Sequence, residues 1–231
     1  MTTPESQGIL TTHMRITDGH RTYLRGDEKV RALRGVDVEL SGGAFAALRG
    51  PSGSGKSTLL LVLAGWEHLD AGSVEVFDGA NHHRPADLGW DRMGIVPQSL
   101  GLLDDLTVEE NVMLPARLSK RPIDPDAGDG YPRSLMESLD IERLKRSMAN
   151  ELSLGEQQRV AVARALALRQ PIVLADEPST HQDADHGAAV FRALRAAADA
   201  GAVVVVATHD PDGLAYADRV LTMSDGELTE S

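Results

Sequence analysis

At 231 residues, 42% of them apolar, the chain can form one large domain or one domain carrying an insert, with enough material for a substantial core. Its formal net charge of −12 argues against a nucleic-acid partner, which would require a basic face. The sequence has no cysteine, which excludes disulfides, a thiol nucleophile and thiolate metal ligation and is compatible with the cytosol.

Taken in chain order, residues 1–12 are polar and read as a mobile tail, with neither the basic nor the apolar region of a signal peptide. Residues 36–40 alternate apolar and polar at period two, the mark of a half-buried strand. The apolar stretch 44–48 predicts a strand, and 58–63 predicts a helix. Between them stands Gly50-Pro51-Ser52-Gly53-Ser54-Gly55-Lys56-Ser57. Alternation over 73–77 predicts another strand, and His82 and His83 read as solvated loop residues. A short strand at 93–96 is stopped by Pro97. Thr107 and Glu110 then form a capping box opening a helix over 111–118. Turn residues make 120–131 a surface loop, and a second helical stretch spans 133–148, so 99–150 reads as a helical insert. Strands at 172–175 and 202–207 are continuous apolar runs, as expected where both faces of a sheet are covered. Val190, Ala193, Leu194 and Ala197 place a helix between them, with Gly201 as its stop. Strand–helix alternation of this kind predicts an α/β fold with a mainly parallel sheet. No apolar run approaches the roughly 18 residues of a membrane span, so any work at a membrane requires another subunit to hold the chain there.

The octapeptide at 50–57 carries the chemistry. It fits the phosphate-loop pattern and lies between a strand and a helix, the context in which that pattern acts. Its glycines let backbone N–H groups close around a triphosphate, and the helix N-terminus adds its positive end. Gly50, Ser52, Gly53, Ser54, Gly55 and Thr58 are the expected cradle, with Lys56 on the β- and γ-phosphates and Ser57 on Mg²⁺. The chain is thus expected to bind a nucleoside triphosphate. Asp176 and Glu177 end a buried strand, where ligands of open α/β sheets bind. Asp176 suits a Mg²⁺ ligand, and Glu177 suits a residue that orients or deprotonates an attacking water.

The segment Leu152-Ser153-Leu154-Gly155-Glu156-Gln157-Gln158-Arg159 and its continuation to Leu166 is similar to the signature motif and helix of the ATPase subunits of ABC transporters. The chain resembles that family over nearly its whole length. Ser153 and Glu156 also satisfy an ordinary capping box, which does not exclude the signature role. Gln98 matches the family's Q-loop glutamine, a nucleotide and metal contact. His209 matches its switch histidine, and Tyr23 its adenine-stacking aromatic.

The resemblance implies a P-loop NTPase core at 13–98 and 151–231, an antiparallel N-terminal β subdomain, and a helical subdomain at 99–150. It implies Mg²⁺-dependent ATP hydrolysis, in which Lys56 balances charge, Glu177 positions water and His209 contacts the γ-phosphate. It also implies a second ATPase subunit, most simply an identical one, with Ser153 and Gly155 closing over the ATP held by the other copy. An integral membrane permease would complete the assembly on the cytoplasmic face of the membrane. Tyr23–Gly26 and Val30–Val36 are similar to the branch containing lipoprotein-release, macrolide-exporter and cell-division ATPases.

Two departures stand out. Leu154 replaces the usual first glycine of the signature pair, and Ser179-Thr180-His181-Gln182-Asp183 replaces the usual D-loop. His181 and Gln182 are expected to bring polar groups to a subunit interface. The alternatives left open are a soluble ABC-type ATPase of a cytosolic complex and a slow or non-hydrolysing ATP-gated module.

Overall fold

The computed structural model describes residues 12–119 and 130–230. Strand β1 (Thr12–Arg25) and strand β2 (Glu28–Ser41) form a long antiparallel hairpin. Thr12, taken with the tail from sequence, is already the buried first residue of β1, paired with Asp78; residues 1–11 lie outside the described residues. β2 starts eight residues earlier than its alternation indicated (28 against 36). Its first four residues are all exposed, so no buried face imposes period two on that arm.

Strand β3 (Phe45–Arg49) leads through the glycine-rich loop into helix α1 (Lys56–Leu63). Strand β4 (Ala71–Asp78) pairs with β1, and strand β5 (Asn81–His83) pairs with β4. His82 and His83 are therefore strand residues rather than loop residues. The His82 ring stacks on Phe77 and its Nε2 lies 2.9 Å from Glu75, cross-strand contacts that local sequence does not announce.

Strand β6 (Met93–Val96) precedes the helical arm. The Thr107–Glu110 capping box is present, but the helix it opens is split into α2 (Val108–Val112) and α3 (Leu114–Leu118). Pro115 has no N–H to continue the ladder, so the first helix ends just before it. Buried Asn111 ties the arm to the loop before it: its Oδ1 accepts from Leu103 N–H, and its Nδ2 donates to the carbonyls of Leu103, Leu106 and Thr107.

Of the expected loop 120–131, residues 120–129 lie outside the described residues, and Tyr131 already opens helix α4 (Tyr131–Ser138). The expected helix 133–148 stops there. Leu139 and Ile141 are fully buried on either side of Asp140, whose φ of 53° turns the chain out of the helix. Short 3₁₀ turns at Glu142–Leu144 and Ala149–Glu151 complete the arm.

Helix α5 (Leu154–Leu166), strand β7 (Ile172–Asp176), helix α6 (Ala184–Asp199) and strand β8 (Val203–Ala207) follow. Helix α7 (Pro211–Leu214) and strands β9 (Arg219–Ser224) and β10 (Glu227–Glu230) close the described chain.

Among the described residues the strands form two sheets. One is antiparallel, in the order β2-β1-β4-β5; the other runs β10-β9-β3-β8-β7-β6 and is parallel except at β10. The continuous apolar strands are explained by burial on both faces. Phe45, Ala47, Val173, Ala175, Val204 and Val206 pack toward α5 and α6. Their alternates Ala46, Leu48, Ile172, Leu174, Val203 and Val205 pack toward α1 and the antiparallel sheet. Each fully buried Val or Leu contributes about 1.5–3 kcal/mol, so these strands anchor the fold.

Candidate nucleotide site

Strand register decides where the functional residues meet. Leu48 of β3 and Asp176 of β7 both pair with Ala207 of β8, and Val96 of β6 pairs with Ala175. The four parallel strands thus end at one level of the sheet. Gly50, His209, Glu177 and Gln98 follow those ends, at the carboxyl edge where α/β sheets bind ligands.

The glycine-rich loop is held by close backbone approach. Gly50 and Gly55 have positive φ (152° and 111°), and a Cβ on either would collide with a main-chain oxygen, of Met223 and Ala32 respectively. Gly53, at φ 78°, has open space around it. Lys56 arches back over the loop, its Nζ donating to the carbonyls of Gly50 (2.8 Å) and Pro51 (3.0 Å). Ser54 is buried, and its Oγ has no hydrogen-bond partner.

A cleft of about 930 Å³ is lined by Tyr23, Gly50, Ser52, Gly53, Gly55, Lys56, Ser57 and Thr58 from one side. Gln98, Asp176, Glu177 and His209 line the other. Asp176 is only 9% exposed. Burial pushes its carboxyl above the usual carboxylate range, against the pull of the Ser57 hydroxyl beside it, and the Glu177 charge pushes the same way. A buried carboxylate next to a hydroxyl is an all-oxygen donor set that fits a hard cation such as Mg²⁺.

Glu177 has φ 52°, outside the range ordinary residues prefer. Its main chain is fixed at both ends: its N–H donates to Ala207 (2.8 Å), and its carbonyl accepts from the Gln158 amide (3.2 Å). Its carboxylate faces His209 Nδ1 at 2.9–3.0 Å. That contact raises the His209 pKa above 6.5.

Tyr23 lines the cleft with Arg21 stacked 4.8 Å over its ring, and its hydroxyl donates to Glu67 (3.1 Å). Val30 and Ala32 lie beside it, and sequence reading missed both. Pairing of Val30 with Tyr23 across the hairpin is the signal that would have found Val30.

Ser153 and Gly155 stand apart from this lining. Ser153 caps α5 in a capping box with Glu156, whose N–H donates to Ser153 Oγ (3.3 Å). Leu154 reaches the rim of the cleft and is 47% exposed. Gln182, expected to place a polar group at a subunit interface, is half-buried and bonded within its own subunit. Its Nε2 donates to the Gly155 carbonyl and its Oε1 accepts from Arg159 Nη1, both at 2.8 Å. His181 is exposed and adopts φ 64°.

Comparisons with known proteins agree with this geometry. Residues 33–180 match the family model described as ABC transporter. A lipoprotein-releasing system ATP-binding protein, LolD, of Zymomonas mobilis is 36% identical over 93% of this chain and 94% of its own length. The macrolide export ATP-binding/permease protein MacB of Shigella flexneri is 34% identical over 96% of this chain but only 35% of its own length. The dimeric ABC transporter cassette MJ0796 superposes with a TM-score of 0.80 at 33% identity, covering 94% of this chain and 97% of that one. The same cassette bound to ADP and Pi after hydrolysis also superposes at 0.80, with 34% identity. Matching at this level along nearly its whole length, the chain belongs to the ABC transporter family and is one of its ATP-hydrolysing cassettes.

Proposed function

We propose that this cassette works as a homodimer that closes around two MgATP and drives an integral membrane permease from the cytoplasmic face of the membrane. In this reading the ATP-binding core comprises 13–98 and 151–231, and 99–150 forms the helical subdomain that relays closure. The observation that carries it is the meeting, at one sheet edge, of the phosphate loop, the Asp176–Glu177 pair, Gln98 and His209.

Tyr23 stacks on the adenine. The backbone N–H groups of 50–58 and the N-terminus of α1 hold the phosphates. Lys56 exchanges its two loop carbonyls for phosphate oxygens. Ser57, Asp176 and Gln98 would hold Mg²⁺, which would neutralise phosphate charge. Glu177 orients the attacking water, and His209 turns from Glu177 to the γ-phosphate. Ser153 and the Gly155 N–H, at the positive end of α5, cap the γ-phosphate in the opposite subunit. ATP drives motion through its higher affinity for the closed dimer, and hydrolysis removes that preference.

An apolar groove of about 420 Å³ beside Gln98, lined by Leu61, Trp66, Ile95 and Pro97, suits an amphipathic helix of the permease. Trp66 is 55% exposed there, an unusual placement for tryptophan on a solvated surface. Likeness to relatives named for lipoprotein release and macrolide export supports assigning this chain to the same branch, whose permeases would bear a large extracytoplasmic domain.

Glu177→Gln tests the reading, because it keeps the phosphate contacts and removes the carboxylate. Turnover should fall by about 10²–10⁴-fold, and light scattering should detect a MgATP-dependent dimer. A variant that stays monomeric while hydrolysing normally would overturn it.

A further inference from the structure

The D-loop and the signature turn are locked together within one subunit, and the lock is built from a residue that departs from the family pattern. Gln182 lies on the D-loop between β7 and α6, and Gly155 lies in the first turn of α5. The Gln182 side chain bridges them with both ends of its amide. Nε2 donates to the Gly155 carbonyl at 2.8 Å, and Oε1 accepts from Arg159 Nη1 at 2.8 Å. Arg159 is 5% exposed and sits one turn further along α5, so its burial makes this acceptor costly to remove. Gly155 itself is shaped for the contact: a Cβ there would stand 2.9 Å from the His181 carbonyl oxygen and 3.4 Å from the Gln182 amide.

The other end of the same loop is tied to the hydrolytic residues. Ser179 Oγ donates to Asp210 Oδ2 at 3.0 Å, next to His209. The Glu177 carbonyl accepts from Gln158 Nε2 at 3.2 Å, and Gln158 is also on α5. Asp183, immediately after Gln182, caps α6 by accepting from the His186 N–H at 3.0 Å. A leucine at 182 could make none of the amide contacts. It would leave the Gly155 carbonyl one partner short and Arg159 Nη1 without its acceptor.

We propose that Gln182 is a positioning residue, which sets the signature turn for the ATP of the opposite subunit according to the state of its own subunit's Glu177–His209 end. This rests on the dimeric reading above. Gln182 does not line the cleft of its own subunit, so its loss should be felt by the dimer and not by nucleotide binding to the monomer.

Two substitutions separate positioning from packing. Gln182→Leu removes both contacts. Gln182→Glu keeps an acceptor for Arg159 but turns an oxygen against the Gly155 carbonyl, so it preserves the buried cation's partner and breaks the link to the turn. Each is made in the Glu177→Gln background. The readouts are monomer affinity for a fluorescent ATP analogue without Mg²⁺, melting temperature, and the MgATP-dependent monomer–dimer constant by analytical ultracentrifugation. Two such links per dimer predict a dimer weakened by at least about tenfold in both variants, each tenfold being about 1.4 kcal/mol. Monomer affinity should stay unchanged in both, and Gln182→Glu should melt with its parent. Undiminished dimerisation of either variant, or loss of dimer only in step with melting temperature and monomer affinity, overturns the proposal. If the Glu177→Gln parent itself fails to dimerise, the dimeric reading falls, and the proposal falls with it.

Discussion

Asp176→Asn should stabilise the nucleotide-free protein and weaken the nucleotide-bound one. The carboxylate is 9% exposed, and burial is the main influence raising its pKa, with the Glu177 charge adding to it. Both effects penalise its charged form. Asparagine removes the charge, keeps the shape, and still offers Oδ1 to the Ser57 hydroxyl. Relief of one buried, repelled charge is on the order of 1 kcal/mol, or about 2–4 °C in melting temperature for a chain of this size. With a Mg²⁺-bound, non-hydrolysable ATP analogue the order should reverse. At a hundredfold excess over Kd, bound ligand adds about 2.7 kcal/mol to the wild type. Loss of a metal ligand weakens metal-dependent affinity by about 100-fold or more, leaving the variant about 0.4 kcal/mol of that. Thermal melts with and without the ligand read both signs.

A pH series checks the cause. The folded pKa of Asp176 lies above its unfolded value of 3.8, so the group's favourable contribution is complete below 3.8 and is lost as pH rises through the folded value. The gap between variant and wild type should therefore close as the pH is lowered toward about 4. A nucleotide-free variant that melts below wild type at neutral pH, or a gap that is flat with pH, would refute the reasoning.

The Glu177 contact raises the His209 pKa, so its stabilising contribution is complete below 6.5 and fades as pH climbs through the raised value. NMR titration of the nucleotide-free protein should place His209 above 6.5, and Glu177→Gln should return it toward 6.5; an unmoved titration refutes the pairing. Leu154 is 47% exposed at the first helical position after Ser153, where its bulk serves no core. Leu154→Gly should cost about 1 kcal/mol or less in urea unfolding while raising steady-state ATPase turnover by opening the signature turn to phosphate. A fall in turnover with stability intact would show that the leucine helps closure.

What could be read from sequence was whatever short-range rules fix. The phosphate loop, the capping box at Thr107 and the doubly buried strands β3, β7 and β8 announce themselves because a few adjacent residues determine each of them. Apart from the helix split at Pro115, which is local, the departures from expectation depend on distant partners. β2 runs back to Glu28 because β1 pairs with it, not because its own pattern alternates. His82 joins a strand because Phe77 and Glu75 stand opposite. The helix predicted over 133–148 breaks at Asp140 because Leu139 and Ile141 must both reach the core. The contacts of Gln182 were hidden for the same reason: nothing near it in sequence reveals Arg159 or the Gly155 carbonyl.

Several polar groups that line the cleft already have partners within the protein. Lys56 is held by two carbonyls, Glu177 and His209 hold each other, and Tyr23 is tied to Glu67. Ser54 Oγ, in the phosphate loop but outside the cleft lining, is buried without a partner. Binding is therefore largely an exchange of partners, and its net free energy is much smaller than the sum of its contacts. The exchange has direction. His209 cannot use Nδ1 on Glu177 and on another acceptor at once, so drawing His209 away frees the Glu177 carboxylate, while the fixed main chain of Glu177 keeps that carboxylate in place. The same main chain continues through Ser179 to Gln182 and the first turn of α5, so the event that frees the carboxylate occurs on a loop already joined to that turn.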